Sequence, residues 1–428
     1  MLGKKISLLD NDPMRVAMLS YHTCPLATLG GKDTGGMNVY VRDLARELGR
    51  RGVGVDVFTR SQDEHVPHVL HDLGYGNRIV HIRAGPEVPM AKTELVEYIP
   101  IFMEGINQFS RVKGLTYDLI HSHYWLSGLA ALDLRDIWSV PVVQMFHTLA
   151  VMKNRVARSE HEAESTIRVD AEKRLLREVD RVVAATQAEV AQIQWLYQIG
   201  TEKVVVIPPG VDTSHFYPIA KDEAKEFAGI PQEKRIILFV GRIESLKGID
   251  TLLRAIAQLI EKGVFQNIPL ALLVIGGDGK LSVEDTNAEM IRLQEISASL
   301  GLGEVVSFLG KCAQDTLQYF YSAAEIVVVP SHYESFGLVA LEAMACGTPV
   351  VASETGGLAF LIRDGETGFH VPAGDVDSLA DRLARLLQDD VLQARLGRQA
   401  AAYAKGYDWA HITDQILDLY GTLLPKTA

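Results

Sequence analysis

Apolar residues along this chain fall into two alternating rhythms. Short apolar runs at 15–20, 53–59, 79–82, 119–121, 142–146 and 182–185 read as buried strands. Between the first two, residues 37–49 put Val41, Leu44, Ala45 and Leu48 at helical spacing behind Gly35-Gly36. That stretch reads as one β-loop-α-β unit with a glycine-rich turn. The second half repeats the pattern, with strand-like runs at 236–240, 270–275, 305–309, 326–329, 350–352 and 369–371. Strands alternating with helices predict parallel sheets covered by helices on both faces.

Pro208-Pro209-Gly210-Val211-Asp212, followed by Phe216 and Pro218, breaks the alternation at its midpoint and reads as an interdomain connector. The expected layout is a Rossmann-like domain over 1–208, a linker over 209–218 and a second Rossmann-like domain over 219–406. An amphipathic helix within 407–428 then packs back on the first domain. Such sheets bind ligands beyond the carboxyl ends of their strands, so both halves should turn their loops into a shared cleft.

Composition narrows the class. A chain of 428 residues suits two α/β domains, and 47% hydrophobic with 22% charged residues is the balance of a globular protein. A net charge of −12 argues against a nucleic-acid partner. Cys24, Cys312 and Cys346 show neither pairing nor metal spacing, as expected in a reducing cytoplasm. Residues 1–13 lack the apolar core of a signal peptide, and no run approaches the length of a membrane span. Asp10-Asn-Asp12 and Asp375-Val-Asp377 read as structural, the latter as a helix N-cap, so no metal site is expected.

The most informative stretch is 330–349. Glu334 and Glu342 stand eight residues apart, expected at the end of the strand 326–329 and about two turns down a following helix. Gly337 leaves backbone N–H groups uncovered at that helix's start, where the macrodipole favours an anion such as a phosphate. Free N–H groups beside two acceptor carboxylates suit a molecule that is part phosphate and part polyol, such as a nucleotide sugar. In 240–248, Arg242 and Lys247 follow the first strand of the second half. A planar fork and a point charge there would stabilise a departing diphosphate, a task metal ions perform elsewhere.

Other signals are weaker alone. Asp33-Thr34-Gly35-Gly36-Met37-Asn38 lets backbone approach a ligand, but it is not the dinucleotide fingerprint and no acidic residue is placed to hold a ribose. Gly276-Gly277-Asp278-Gly279 is a second glycine turn. His121, His123 and His147 sit at predicted strand ends, with His147 the best placed. Lys92, Lys153 and Arg168 are scattered, and singly each reads as a solvated side chain.

Together these motifs resemble the retaining GT-B glycosyltransferases of family four, the E-x7-E group that includes sucrose-phosphate synthases and inositol-phosphate glycosyltransferases. The resemblance covers 15–407. It implies two Rossmann-like domains, a UDP-sugar donor (UDP-glucose or UDP-N-acetylglucosamine) in the second, and an acceptor in the first. It also implies no cofactor or metal and no integral membrane partner, and leaves homo-oligomerisation open. On these positions Arg242 and Lys247 hold the donor diphosphate, which Gly36 approaches. Glu342 takes the ribose, Glu334 contacts the sugar with backbone at Phe336, Gly337 and Leu338, and His147 lies beside the reacting sugar.

The stretches 34–41 and 121–128 look most like members that glycosylate inositol phosphate. That likeness maps an acceptor phosphate onto Lys92, Tyr124, Thr148, Lys153 and Arg168, with Asn38 at the acceptor ring. Sucrose-phosphate synthases typically carry Gln where Met37 stands and Pro where Ser335 stands. Both departures count against fructose 6-phosphate as acceptor. A nucleotide-sugar epimerase shares the architecture but has no use for an acceptor phosphate pocket.

Overall fold

The computed structural model describes residues 13–28, 34–264, 269–277 and 288–424. The first sheet has eight strands: β1 (Arg15–Leu19), β2 (Gly54–Arg60), β3 (Val69–Leu70), β4 (Arg78–Ile82), β5 (Leu119–His123), β6 (Val142–Met145), β7 (Arg181–Ala184) and β8 (Val204–Val206). Their order is β3-β4-β2-β1-β5-β6-β7-β8. The second sheet holds β9 (Arg235–Val240), β10 (Leu270–Ile275), β11 (Val306–Gly310), β12 (Ile326–Val329), β13 (Val350–Ser353) and β14 (Gly368–Val371). Its order is β11-β10-β9-β12-β13-β14.

Both sheets reverse strand order once, between β1 and β5 and between β9 and β12. Those switch points open a crevice where the loops part to either side. The apolar runs are continuous because both faces are covered: all six residues of β10 and all four of β12 are buried. The helix Gly36–Arg50 turns Tyr40, Val41, Leu44, Ala45 and Leu48 inward, each fully buried.

Two strands escape the sequence pattern. β3 is two residues long and pairs antiparallel with β4, so the first sheet is not wholly parallel. β8 has three residues, too few for a periodicity to register. A third difference concerns the histidines: β5 runs on to His123, so His121 lies within the strand rather than at its end. Tyr420 covers the His121 ring at 5.8 Å and Tyr40 the His123 ring at 5.5 Å, and both histidines are completely buried.

The connector and the returning chain cross side by side. Val211 N donates to Tyr407 O at 2.8 Å, and Trp409 N donates to Val211 O at 3.2 Å. The last helix, Trp409–Gly421, then lies on Gly36–Arg50. Trp409 meets Tyr40 with ring centroids 5.2 Å apart, Arg51 Nη2 pairs with Asp414 at 2.9 Å, and Tyr420 Oη lies 2.7 Å from His121 Nδ1. One apolar core therefore runs from the first sheet through Trp409, Ile412 and Ile416 into the second.

Candidate active site

The second-domain half is built around the β9/β12 switch point. Beyond β9, Gly241 and Arg242 lead into a tight turn, Ser245–Lys247, before the helix Ile249–Glu261. Arg242 Nη1 pairs with Glu244 Oε1 at 2.6 Å, and Lys247 Nζ donates to Glu334 Oε2 at 2.5 Å. Beyond β12 the chain loops through Glu334 to Gly337 (φ 104°), which opens the helix Leu338–Ala345 with no side-chain cap. Its first N–H groups are thus left to whatever enters the cavity. Glu342 is the fifth residue of this helix, one turn in rather than the two expected, because the helix begins only after Gly337.

The Glu334 loop is fixed from behind. Gly357 N donates to Glu334 O at 2.8 Å, and a Cβ on Gly356 would lie 2.0 Å from that same oxygen. Only glycine allows this approach. Glu342 is 6% exposed and accepts from Tyr321 Oη at 2.7 Å. Burial pushes its carboxyl up to about 7.

The first-domain half closes over it. A Cβ on Gly36 would stand 3.1 Å from Leu338 Cδ1, so the bare backbone there lets the two domains meet. Asn38 is buried; its Oδ1 accepts from Gly35 N at 2.9 Å, and its Nδ2 donates to Thr23 Oγ1 and Cys24 O. Those bonds brace the glycine turn, a task the sequence did not suggest for it. His147, past the end of β6, holds φ 62°, and Tyr124, past β5, holds φ 74°. Both are unusual for residues with a side chain and lie at strand ends facing the cavity. His147 Nε2 lies 3.0 Å from His123 Nδ1. Burial draws the His147 pKa down to about 3, so its ring is neutral.

A cluster of cations surrounds Tyr124. Arg168 Cζ lies 4.6 Å and Lys92 Nζ 5.5 Å from its ring centroid. Arg168 is 1% exposed, which overturns its reading as a solvated side chain. Its Nε donates to Glu172 Oε1 at 2.8 Å, and its Nη2 donates to Thr148 O at 2.7 Å and Thr148 Oγ1 at 3.0 Å. Burial disfavours its charge, but Tyr124, Glu172 and Glu164 more than reverse that, and the guanidinium stays ionised. Lys153 pairs with Glu164 rather than standing in solvent.

Every residue singled out above for donor, acceptor or catalysis lines this one cavity between the domains: Gly36, Asn38, Lys92, Tyr124, His147, Thr148, Lys153, Arg168, Arg242, Lys247, Glu334, Phe336, Gly337, Leu338 and Glu342. His121 and His123 do not line it. Asp10, Asp12, Asp33, Asp278 and Gly279 lie outside the described residues. Asp375 caps its helix, accepting from Ser378 N at 3.0 Å. Among the described residues, no group of three or more His, Cys, Asp or Glu is placed to hold a metal ion. No helix among them is long and apolar enough to cross a membrane.

The sequence reading missed His22 and Ser331, which also face the cavity. The His22 ring packs tilted against Tyr124, with centroids 4.5 Å apart, and both His22 Nδ1 and Ser331 Oγ are buried without a hydrogen-bond partner. His22 follows β1 and Ser331 follows β12, so their positions at the switch points were the available signal.

Known proteins resemble this chain in sequence and fold. Residues 34–215 match the family described as Glycosyltransferase Family 4, and 220–403 match Glycosyl transferases group 1. The chain is 41% identical over 409 residues to the D-inositol 3-phosphate glycosyltransferase of Saccharomonospora viridis, covering 95% of this chain and 94% of the relative. To the protein of that name from Actinosynnema mirum it is 41% identical over 408 residues, covering 95% and 97%. Among solved structures, the sucrose-phosphate synthase of Thermosynechococcus elongatus superposes with a TM-score of 0.87 at 35% identity, covering 96% of this chain and 99% of that one. Anabaena HepE, solved with UDP and glucose, shares the fold at a TM-score of 0.73 and 22% identity, covering 96% and 100%.

Proposed function

The chain belongs to the GT-B glycosyltransferases of family four, and from that premise we propose that it moves a sugar, with retention, from a UDP-sugar to inositol phosphate. The observation that carries this reading is one cavity with two cationic ends. Arg242 and Lys247 stand at the switch point of the second sheet, and Lys92, Lys153 and Arg168 stand around Tyr124 in the first domain. One end suits the diphosphate of the donor, the other the phosphate of the acceptor.

In this reading Glu342 accepts from the ribose hydroxyls and Glu334 from the hydroxyls of the sugar. Backbone N–H groups around Phe336, Gly337 and Leu338 face the phosphate, where a helix N-terminus favours negative charge. The acceptor hydroxyl attacks the anomeric carbon on the face that the diphosphate leaves. The bond to the phosphate oxygen breaks as the new glycosidic bond forms, and the hydroxyl proton passes to that departing oxygen. Arg242 and Lys247 stabilise the charge that develops there. His147, neutral, offers a hydrogen bond to a sugar hydroxyl without adding charge to the pocket.

A second reading, transfer of glucose to fructose 6-phosphate, is favoured by the 35% identity to a sucrose-phosphate synthase. Both acceptors present a phosphate, so the same cations serve either. UDP release from UDP-glucose and from UDP-N-acetylglucosamine, against inositol phosphate, fructose 6-phosphate and the free polyols, distinguishes them. Turnover is expected with inositol phosphate and absent with the free polyols. Turnover with no phosphorylated acceptor at all would overturn the reading.

A further inference from the structure

Glu164 lies against two of the cations that the acceptor pocket would use. Its Oε1 pairs with Lys153 Nζ and stands 2.9 Å from Arg168 Nη1. Burial pushes this carboxyl up, but Arg168 and Lys153 more than reverse that and hold it below the ordinary carboxylate range. Its backbone is pinned: Glu164 N donates to Asn154 Oδ1 at 2.6 Å, and Asn154 Nδ2 donates to Glu164 O at 3.3 Å. Arg168 Nη1 is buried and, although ion-paired, makes no aligned hydrogen bond, unlike Nε and Nη2. An oxyanion better placed than Glu164 has a charge-assisted bond to gain there.

The segment that carries Glu164 also crosses the cleft. Arg158 donates to His332 Nε2 at 2.9 Å and pairs with Asp250 at 3.3 Å, while Glu162 accepts from Ser245 Oγ at 2.7 Å. Ser245 and Asp250 flank Lys247, and His332 lies two residues before Glu334. One short stretch of the first domain therefore touches acceptor cations at one end and donor loops at the other.

We infer that Glu164 is a specificity-determining residue, an internal stand-in for phosphate that yields Lys153 and Arg168 only to a group bringing more than one negative charge. This rests on the phosphate-pocket reading proposed above. A carboxylate offers one charge and two oxygens; a phosphate monoester dianion offers two charges and three terminal oxygens. Exchanging the first for the second strengthens the attraction to both cations, whereas a monoanion merely replaces like with like. A neutral hydroxyl has no charge with which to displace the carboxylate.

Calorimetric titration of the full-length protein, with UDP saturating so that the donor site is filled, tests this. The probes are inorganic phosphate at pH 8 and dimethyl phosphate, a monoanion. The proteins are the wild type, Glu164→Gln, Glu164→Asp and Lys153→Ala, each checked by its melting temperature. Glu164→Gln should bind phosphate about tenfold more tightly than wild type, the effect of removing one competing charge-assisted bond. It should also bind dimethyl phosphate measurably where the wild type barely does, and Glu164→Asp should behave as wild type. If Glu164 only braced the cations, the Gln variant would bind phosphate more weakly, and that result, or no change, overturns the inference. Lys153→Ala should bind phosphate more weakly than wild type; if neither wild type nor Glu164→Gln binds phosphate at all, the pocket reading itself fails.

Discussion

Lys247 donates to Glu334 across 2.5 Å and 87 positions of chain. The cation proposed for the leaving diphosphate and the carboxylate proposed for the sugar thus hold each other in place at the mouths of β9 and β12. Earlier on the same loop, Arg242 pairs with Glu244, two positions on, at 2.6 Å. Because these pairs are partly exposed, their removal should cost chemistry more than stability. Arg242→Ala or Lys247→Ala should lower turnover by about a hundredfold, the loss of one preorganised charge at a developing oxyanion. Steady-state UDP release measures the first effect and thermal melting the second. Unchanged turnover in both variants would remove them from the donor site.

Donor binding should depend on pH through Glu342. Its carboxyl takes a proton near 7, and the protonated form loses acceptor capacity toward the ribose hydroxyls. The affinity for UDP-glucose, which itself does not titrate in this range, should therefore weaken as pH falls from 8 to 6. Glu342→Gln should bind weakly with a flat profile. Stability runs the other way: the folded carboxyl holds its proton more tightly than an unfolded one. The wild type should accordingly lose stability relative to Glu342→Gln as pH rises through the window between the ordinary carboxylate value and 7. Calorimetry and denaturant melts at matched pH check both signs.

Transfer should survive an excess of chelator, since two cations and a helix N-terminus face the proposed diphosphate position. Assay with and without EDTA reads this directly, and activity lost to EDTA but restored by magnesium or manganese refutes it.

The product should keep the donor's anomeric configuration, read from proton coupling in the NMR spectrum. No covalent glycosyl-enzyme should accumulate, because Glu334 is tied to Lys247 and serves to hold hydroxyls rather than to attack. An inverted product would rule out the front-face route.

Acceptor recognition separates Lys92 from Arg168. Lys92→Ala should raise the acceptor's Michaelis constant by about ten- to a hundredfold with UDP affinity nearly unchanged, the cost of one charge-assisted bond. Arg168→Ala should also destabilise the fold by about 3–5 kcal/mol, because buried Glu172 would lose its cationic partner and keep only the bonds from Ala150 N and Tyr197 Oη. Melting curves alongside kinetics separate the two effects, and equal melting temperatures would show that the Arg168–Glu172 pair carries no structural load.

What the sequence determined by itself is local. Apolar runs bounded by glycine and proline located twelve of the fourteen strands among the described residues, because a strand buried on both faces must be apolar throughout. The two missed, β3 and β8, are too short to carry a period. Arg242, Lys247, Glu334 and Glu342 were legible for a similar reason: each sits within a few residues of a recognisable strand end or helix start. Tertiary structure decided the rest. Lys92, Tyr124 and Arg168 become one cluster only when the stretches that follow β4, β5 and β6 converge, and Arg168, whose pairs with Glu164 and Glu172 are local, meets Thr148 and the Tyr124 ring only there. A Cβ on Gly36 would press on Leu338 of the other domain, which arrives beside it from 302 positions away. The neutral state of His147 follows from burial rather than from its neighbours in sequence. Charge state, partner and cavity depend on atoms brought together from distant positions, and no local period encodes them.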